Sequence, residues 1–252
     1  MISYELGVVV PVYNSALSVA SLCAELEELF IKCGLNGRII LVNDGSTDDS
    51  AEVIDKLARS GKHTTAAHLR HNAGQQSALL CGLTLSENCR YIATIDDDLQ
   101  HPAALLEALY HKICNGYDLV YAVSKGEHKP LYRRVGSLLR DALFALFTQK
   151  PKGIRVSSYR IMSAALAAAI CSETQQFVYL SASAFRHAPQ TANIPYNIRE
   201  RAYGHSGYTF GKLVRTYTNI FIYYTWFGAC LRPKTQIAPY ELSYITEGGA
   251  LK

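Results

Sequence analysis

The first 125 residues alternate between short runs of continuous apolar positions and longer stretches of helical periodicity. "LGVVVPVY" (6–13) reads as a buried strand, and "SVASLCAELEELFIKCG" (18–34) as a helix stopped at Gly34. The same alternation predicts strands over 38–44, 65–71, 91–96 and 117–124, with helices over 48–61, 75–86 and 102–116 between them. Strands joined in sequence by helices through short connections predict an α/β fold. Its sheet is Rossmann-like, mostly parallel and flanked by helices, with ligands meeting it at the carboxyl ends of the strands.

Beyond residue 125 the pattern changes. "YRRVGSLLRDALFALFTQ" (132–149) reads as an amphipathic helix with paired arginines at its start, and "SSYRIMSAALAAAI" (157–170) as a strand edge running into a helix. An apolar run (177–185) and an arginine-rich loop (194–213) follow. "TYTNIFIYYTWFGACL" (216–231) holds sixteen uncharged residues between Arg215 and Arg232, short of the roughly 20 that a spanning helix needs. Its aromatics and flanking cations suit a C-terminal amphipathic segment in the membrane interface, with a core helix or a homo-oligomer contact as the equal alternative. Residues 233–252 offer no room for a spanning helix, and the tail from Lys234 shows no pattern. The expected division is therefore a domain over 1–215, with a donor-binding half (1–125) and an acceptor half (126–215), followed by the interfacial segment and tail (216–252).

Composition narrows the class. Of 252 residues 49% are hydrophobic and mean hydropathy is near zero, which excludes a disordered chain and a polytopic membrane protein. The N-terminus lacks a basic region and a small-residue cleavage site, so it reads as a first core strand. Seven scattered cysteines without CxxC spacing suit free thiols in a reducing cytosol better than disulfides or zinc. Charge is uneven: residues 1–130 carry 10 Lys+Arg against 16 Asp+Glu, a net −6, and residues 131–252 carry 15 against 5, a net +10. The basic half is expected to meet phosphates or an anionic membrane surface. No nucleic-acid motif is present, so nucleic acid is not an expected partner.

Neither GxGxxG nor GxxxxGK[ST] occurs, so a nucleotide would be held by other means. Three stretches fall at predicted strand ends: "PVYN" (11–14), "NDGSTDD" (43–49) and "DDDLQ" (96–100). In extended chain Asp96 and Asp98 point to one side and Asp97 to the other. A carboxylate pair beside a diphosphate suits Mg²⁺ or Mn²⁺. The structural alternative is a cap on the helix at Pro102, with Asp98 or His101 near its start, but one polar residue is enough for a cap. In "NDGSTDDS", Ser46 or Thr47 capping a helix accounts for Gly45 to Asp49 and leaves Asp44 to accept from a base or a ribose. Tyr13 is placed either to stack on a base or to pack.

Together, "VVVPVYN", "LVNDGSTDDS", "RHNAGQQSALLCGL" and "IDDDLQHP" resemble the family-2 glycosyltransferases of GT-A fold. "GIRVSSYRIMS" and "IPYNIRERAYGHSGYTFGKLVR" resemble segments of polyprenyl-phosphate glycosyltransferases, of the dolichol-phosphate mannosyltransferase and undecaprenyl-phosphate sugar transferase type. The resemblance covers about residues 5–215. It implies that Pro11, Tyr13 and Asp44 hold the nucleobase and ribose, with Asp97 assisting. It implies that Asp96, Asp98 and Gln100 hold the cation, and that Arg201 closes over the diphosphate. Arg133, Arg134, Ser158 and Arg160 are candidates for an acceptor phosphate, and Arg199 for either group. Ser15 and His101 stand where the family commonly has Glu and Asp, and Gly207 where some members place a Lys.

The activity so implied is an inverting single displacement, with Asp98 and Arg201 as the catalytic pair, from a nucleotide sugar (UDP favoured) to a polyprenyl phosphate. A hydroxyl acceptor would need a general base. After residue 130 the acids are only Asp141, Glu173, Glu200, Glu241 and Glu247, of which Glu200 is the base candidate. A lipid phosphate needs cations rather than a base, which agrees with the charge of the second half. The alternatives are transfer to a glycan hydroxyl and a non-catalytic nucleotide-sugar-binding relative. The expected location is cytoplasmic, peripheral to the inner face of the cell membrane.

Overall fold

A computed structural model describes residues 3–125, 150–173, 177–199, 210–225, 230 and 238–247. Near the middle of its sheet lies β1 (Tyr4–Val12), which pairs in parallel with β2 (Gly37–Asn43) and with β4 (Cys89–Thr94); β2 pairs in parallel with β3 (Thr64–Leu69). Between them run α1 (Val19–Cys33), α2 (Ser50–Ser60) and α3 (Gln75–Thr84), and α4 (Leu105–Ile113) leads to β5 (Leu119–Ser124). The chain then adds β6 (Arg160–Ser163), α5 (Ala164–Cys171), α6 (Leu180–His187), β7 (Thr191–Tyr196), α7 (Phe210–Tyr224) and β8 (Leu242–Glu247). The eight strands lie in the order β7-β5-β6-β4-β1-β2-β3-β8. Only β6 and β8 run antiparallel to their neighbours, β6 between β4 and β5 and β8 along β3.

Continuous apolar strands follow from burial on both faces. On β1 and β2, Val9, Ile40 and Val42 pack to one side with α3, α5 and α6. Val8, Val10, Ile39 and Leu41 pack to the other with α1, α2 and α4. All six buried positions of α1 belong to that second layer. The seven cysteines are free.

The structure corrects several expectations. Residues 102–104 precede α4, which starts at Leu105; its N-cap is Ala104, without a side-chain bond, so neither Asp98 nor His101 caps it. The loop expected over 194–213 begins in β7, which the edge proline Pro195 disguises. The patternless tail contains β8, whose side chains are mostly exposed. It pairs with β3, and is held further by ion pairs to Arg38 of β2 (Glu247) and to Arg70 just past β3 (Glu241) and by Tyr244 stacked on His68 of β3 at 4.1 Å. The segment expected from 216 starts earlier, as α7 at Phe210, and turns Ile220, Tyr223 and Tyr224 into the core. Tyr224 Oη accepts from Tyr179 N at 2.8 Å and bonds Ser183 Oγ at 2.7 Å, so this residue does not face a membrane. Among the described residues no helix is long and apolar enough to cross a membrane. The helix expected over 132–149, with Arg133 and Arg134, lies outside the described residues, as do Glu200 and Arg201.

Candidate active site

Three parallel strands deliver their carboxyl ends to one edge. Asp44, just past β2, donates its N–H to Val12 O at 2.9 Å, and Asp97 Oδ2 accepts from Tyr13 N at 3.2 Å. Tyr13, Asp44 and Asp97 are thereby neighbours, and Tyr13 is 46% exposed, open to stacking. Pro11 is buried on β1, paired with Val42, beyond the point where pairing with β4 ends at Val9–Thr94. There its missing N–H leaves no rung broken toward β4.

The "NDGS" turn is held by its neighbours. Asp44 accepts from Ala73 N at 2.7 Å and from Gly74 N at 3.1 and 3.0 Å. Gly45 has φ +65°, and a Cβ there would lie 2.6 Å from Asn72 N, so only glycine fits between the two loops. Ser46 and Thr47 do not cap α2. Ser46 Oγ accepts from Asn14 N at 3.1 Å, and Thr47 N donates to Asn14 Oδ1 at 2.8 Å, which ties the β1 loop to the β2 loop. Burial pushes the Asp44 carboxyl up to about 6, against the pull of the Ala73 and Gly74 amides.

The acidic triplet lies past the end of β4, in a turn, so strand alternation does not orient it. Its members nonetheless part. Asp97 joins Tyr13, and burial, with the charges of Asp96 and Asp98 adding, raises its carboxyl to about 6 against the bonds from Ser15 and Tyr13. Asp96 turns the other way: Oδ1 accepts from Gln75 Nε2 at 2.7 Å, and Oδ2 from Ser158 Oγ at 2.6 Å and His101 Nε2 at 3.3 Å. Burial opposes its charge, but the bond and charge of His101, the Ser158 hydroxyl and the Arg160 charge hold it below the usual carboxylate range. Asp98 Oδ1 accepts from Gln100 N at 3.1 Å across Leu99, which has φ 60°. A left-handed leucine costs on the order of 1–2 kcal/mol.

The chemistry of this turn suits a cation. A carboxylate has about four lone-pair sites, and the protein donors on Asp96 occupy three. One remains there, Asp98 adds a second carboxylate, and Gln100 adds an amide oxygen. Such a hard-oxygen set fits Mg²⁺ or Mn²⁺, which take few protein ligands and complete their shell with phosphate and water. Among the described residues no three His, Cys, Asp or Glu side chains gather as a metal-holding group, so diphosphate oxygens would have to contribute.

The acceptor candidates scatter. Ser158 is bound to Asp96 rather than to an open face. Arg160, on β6, is 2% exposed; it donates to Thr94 Oγ1 at 3.2 Å and Ser181 Oγ at 2.9 Å and lies 5.7 Å from the Tyr121 ring centroid. Its charge supports Asp96 from inside. Arg199 grips Glu25 of α1 at 2.9 and 3.0 Å, and its N–H donates to Gln100 O at 3.0 Å. Sequence reasoning missed Gln75, Tyr196 and the 72–74 amides as parts of the site. The quoted "NAGQQ" held the only signal for Gln75 and the amides.

The chain matches the model of Glycosyl transferase family 2 over residues 7–169, and it belongs to that family. It is 32% identical, over 83% of its length, to the undecaprenyl-phosphate 4-deoxy-4-formamido-L-arabinose transferase of Klebsiella pneumoniae. Identity to the protein of the same description from Pseudomonas aeruginosa is also 32%, over 82% of this chain. It spans 64% and 61% of the lengths of those two relatives. Among solved structures, glucosyl-3-phosphoglycerate synthase from Mycobacterium tuberculosis, in complex with Mn²⁺, UDP-glucose and phosphoglyceric acid, superposes with a TM-score of 0.64. The identity is 17%, over 92% of this chain and 82% of that one. Mannosyl-3-phosphoglycerate synthase from Rubrobacter xylanophilus gives 0.61 at 16% identity, over 86% and 71%. These likenesses establish the fold as GT-A.

Proposed function

We propose that the protein transfers a sugar from a nucleotide sugar, UDP-linked by preference, to a polyprenyl phosphate at the inner face of the membrane, with Mg²⁺ or Mn²⁺. The observation that carries this reading is the convergence of Tyr13, Asp44 and Asp97 with the Asp96–Gln100 turn on one sheet edge. It is supported by the polyprenyl-phosphate acceptor in the descriptions of the relatives and by the Mn²⁺ and UDP-glucose bound to a neighbour of the same fold.

In this mechanism Tyr13 stacks on the base and Asp44 accepts from its N–H or the ribose, while Asp97 steadies the Tyr13 backbone beside them. Asp96, Asp98 and Gln100 hold the cation, which when bound offsets the charge gathering on the diphosphate as it leaves. Arg201 closes over the same group. The acceptor phosphate, already anionic, attacks the anomeric carbon in line from the opposite face, so the configuration inverts and no general base is called for. Arg133 and Arg134 steer it in, with Arg199 available if it exchanges Glu25 for phosphate.

The test is transfer of radiolabelled sugar from UDP-sugars to undecaprenyl phosphate with Mn²⁺, comparing the wild type with Asp98→Ala. Label in the lipid phase, reduced at least a hundredfold by Asp98→Ala, is expected. Equal transfer by the variant overturns the metal assignment, and label passing only to a soluble hydroxyl acceptor overturns the lipid phosphate.

A further inference from the structure

His101 follows the cation-facing turn directly, is 8% exposed, and lies between two tyrosines, Tyr159 at 5.3 Å and Tyr196 at 5.9 Å between ring centroids. Its two nitrogens face different partners. Nε2 meets Asp96 Oδ2 at 3.3 Å and Nδ1 meets the Tyr196 hydroxyl at 2.5 Å. A carboxylate oxygen accepts, so Nε2–H donates to Asp96 Oδ2, while the Tyr196 hydroxyl holds the ring from the other side at Nδ1. Ser158 Oγ, itself bonded to Asp96, lies 3.5 Å from the same Nε2. A second link runs beside it, from Arg199 N to Gln100 O.

We propose that His101 is a positioning residue: clamped by Tyr196, it fixes the orientation of the Asp96 carboxylate and so sets the affinity of the site for its divalent cation. This rests on the reading of Asp96 as a cation ligand. Outer partners that orient a ligating group govern metal affinity in this way, typically by 10–100-fold. The clamp also joins two parts of the chain. Tyr196 ends β7, so the edge strand beside β5 holds the proposed cation ligand in place through His101.

The test uses Mn²⁺ binding, read from the electron paramagnetic resonance of the free ion in the presence of UDP, with five variants. His101→Ala is expected to weaken Mn²⁺ binding about tenfold or more. His101→Gln, whose amide nitrogen takes the place of Nε2, recovers most of it. His101→Asn, whose amide takes the place of Nδ1 and reaches Tyr196 instead, does not. Tyr196→Phe weakens binding several-fold. UDP affinity measured in EDTA stays at the wild-type value throughout. Should His101→Ala fold poorly, the Gln and Asn pair, matched in melting temperature, decides alone. Mn²⁺ affinity within twofold of wild type for both His101→Ala and His101→Asn overturns the positioning role. Asp98→Ala separates that failure from failure of the parent reading: if it abolishes Mn²⁺ binding while the His101 variants do not, the cation site stands and the clamp falls. If the wild type binds no Mn²⁺ with UDP, both fall.

Discussion

Asp44 is a carboxylate kept where burial works against its charge. It is 4% exposed and its folded-state carboxyl sits at about 6 rather than 3.8. The contribution of such a group is fully present below pH 3.8, where both states are protonated, and is lost as pH rises through 6. The loss by pH 7.5 is up to about 3 kcal/mol, from the shift at 1.36 kcal/mol per unit. Asp44→Asn, which still accepts from the Ala73 and Gly74 amides, should therefore melt at a higher temperature than wild type at pH 7.5. Melting across pH 4–7.5 should flatten only in part, because Asp97 titrates in the same window. UDP affinity should fall at least tenfold in the same variant, as seen by calorimetry. A result that left affinity intact would remove Asp44 from the base or ribose. The carboxylates of this site are legible because acids directly after apolar strands have few structural uses. Gln75 and Tyr196 are not, since they reach Asp96 and His101 from 21 and 95 residues away, and no local pattern encodes contacts of that separation. Arg160, which the resemblance offered to an acceptor phosphate, is carried inside the sheet by four-residue β6 instead.

The parallel strands and their crossover helices were readable because burial on both faces makes each strand an unbroken apolar run and each helix a stripe. β7 and β8 carry weaker signals. β8 is exposed along most of its length, so nothing forces alternation, and β7 is half-buried and holds a proline. Helix α3 shows how closely the layers meet. Gly82 is buried against β1, and a Cβ there would lie 2.2 Å from Val9 Cγ1. Gly82→Ala should cost about 1–3 kcal/mol through overpacking, measured by urea unfolding. Combined with Val9→Ala, which clears that methyl, the loss should be less than the sum of the two single changes. Strict additivity would place the strain elsewhere.

At the scale of the whole molecule the proposed function divides the work between an acidic and a basic half: base, ribose and cation on the first, anionic acceptor and membrane on the second. If the net +10 of residues 131–252 draws the protein to anionic lipid, sedimentation with phosphatidylglycerol vesicles should be strong at low salt. It should fade as screening shortens the Debye length to about 3 Å at 1 M. The pair Arg133→Glu and Arg134→Glu should weaken it about tenfold or more, at roughly 1 kcal/mol per basic residue. Unchanged sedimentation would leave those arginines out of the contact. The halves are not separable pieces, however. β6 comes from the second half yet lies between β4 and β5 of the first, hydrogen-bonded to both, and just ahead of it Ser158 gives Asp96 its closest hydroxyl. Donor and acceptor preferences therefore cannot be inherited as interchangeable cassettes. A hybrid that joined this chain's first 125 residues to the remainder of a relative would bring a foreign strand into the sheet and a foreign neighbour to Asp96.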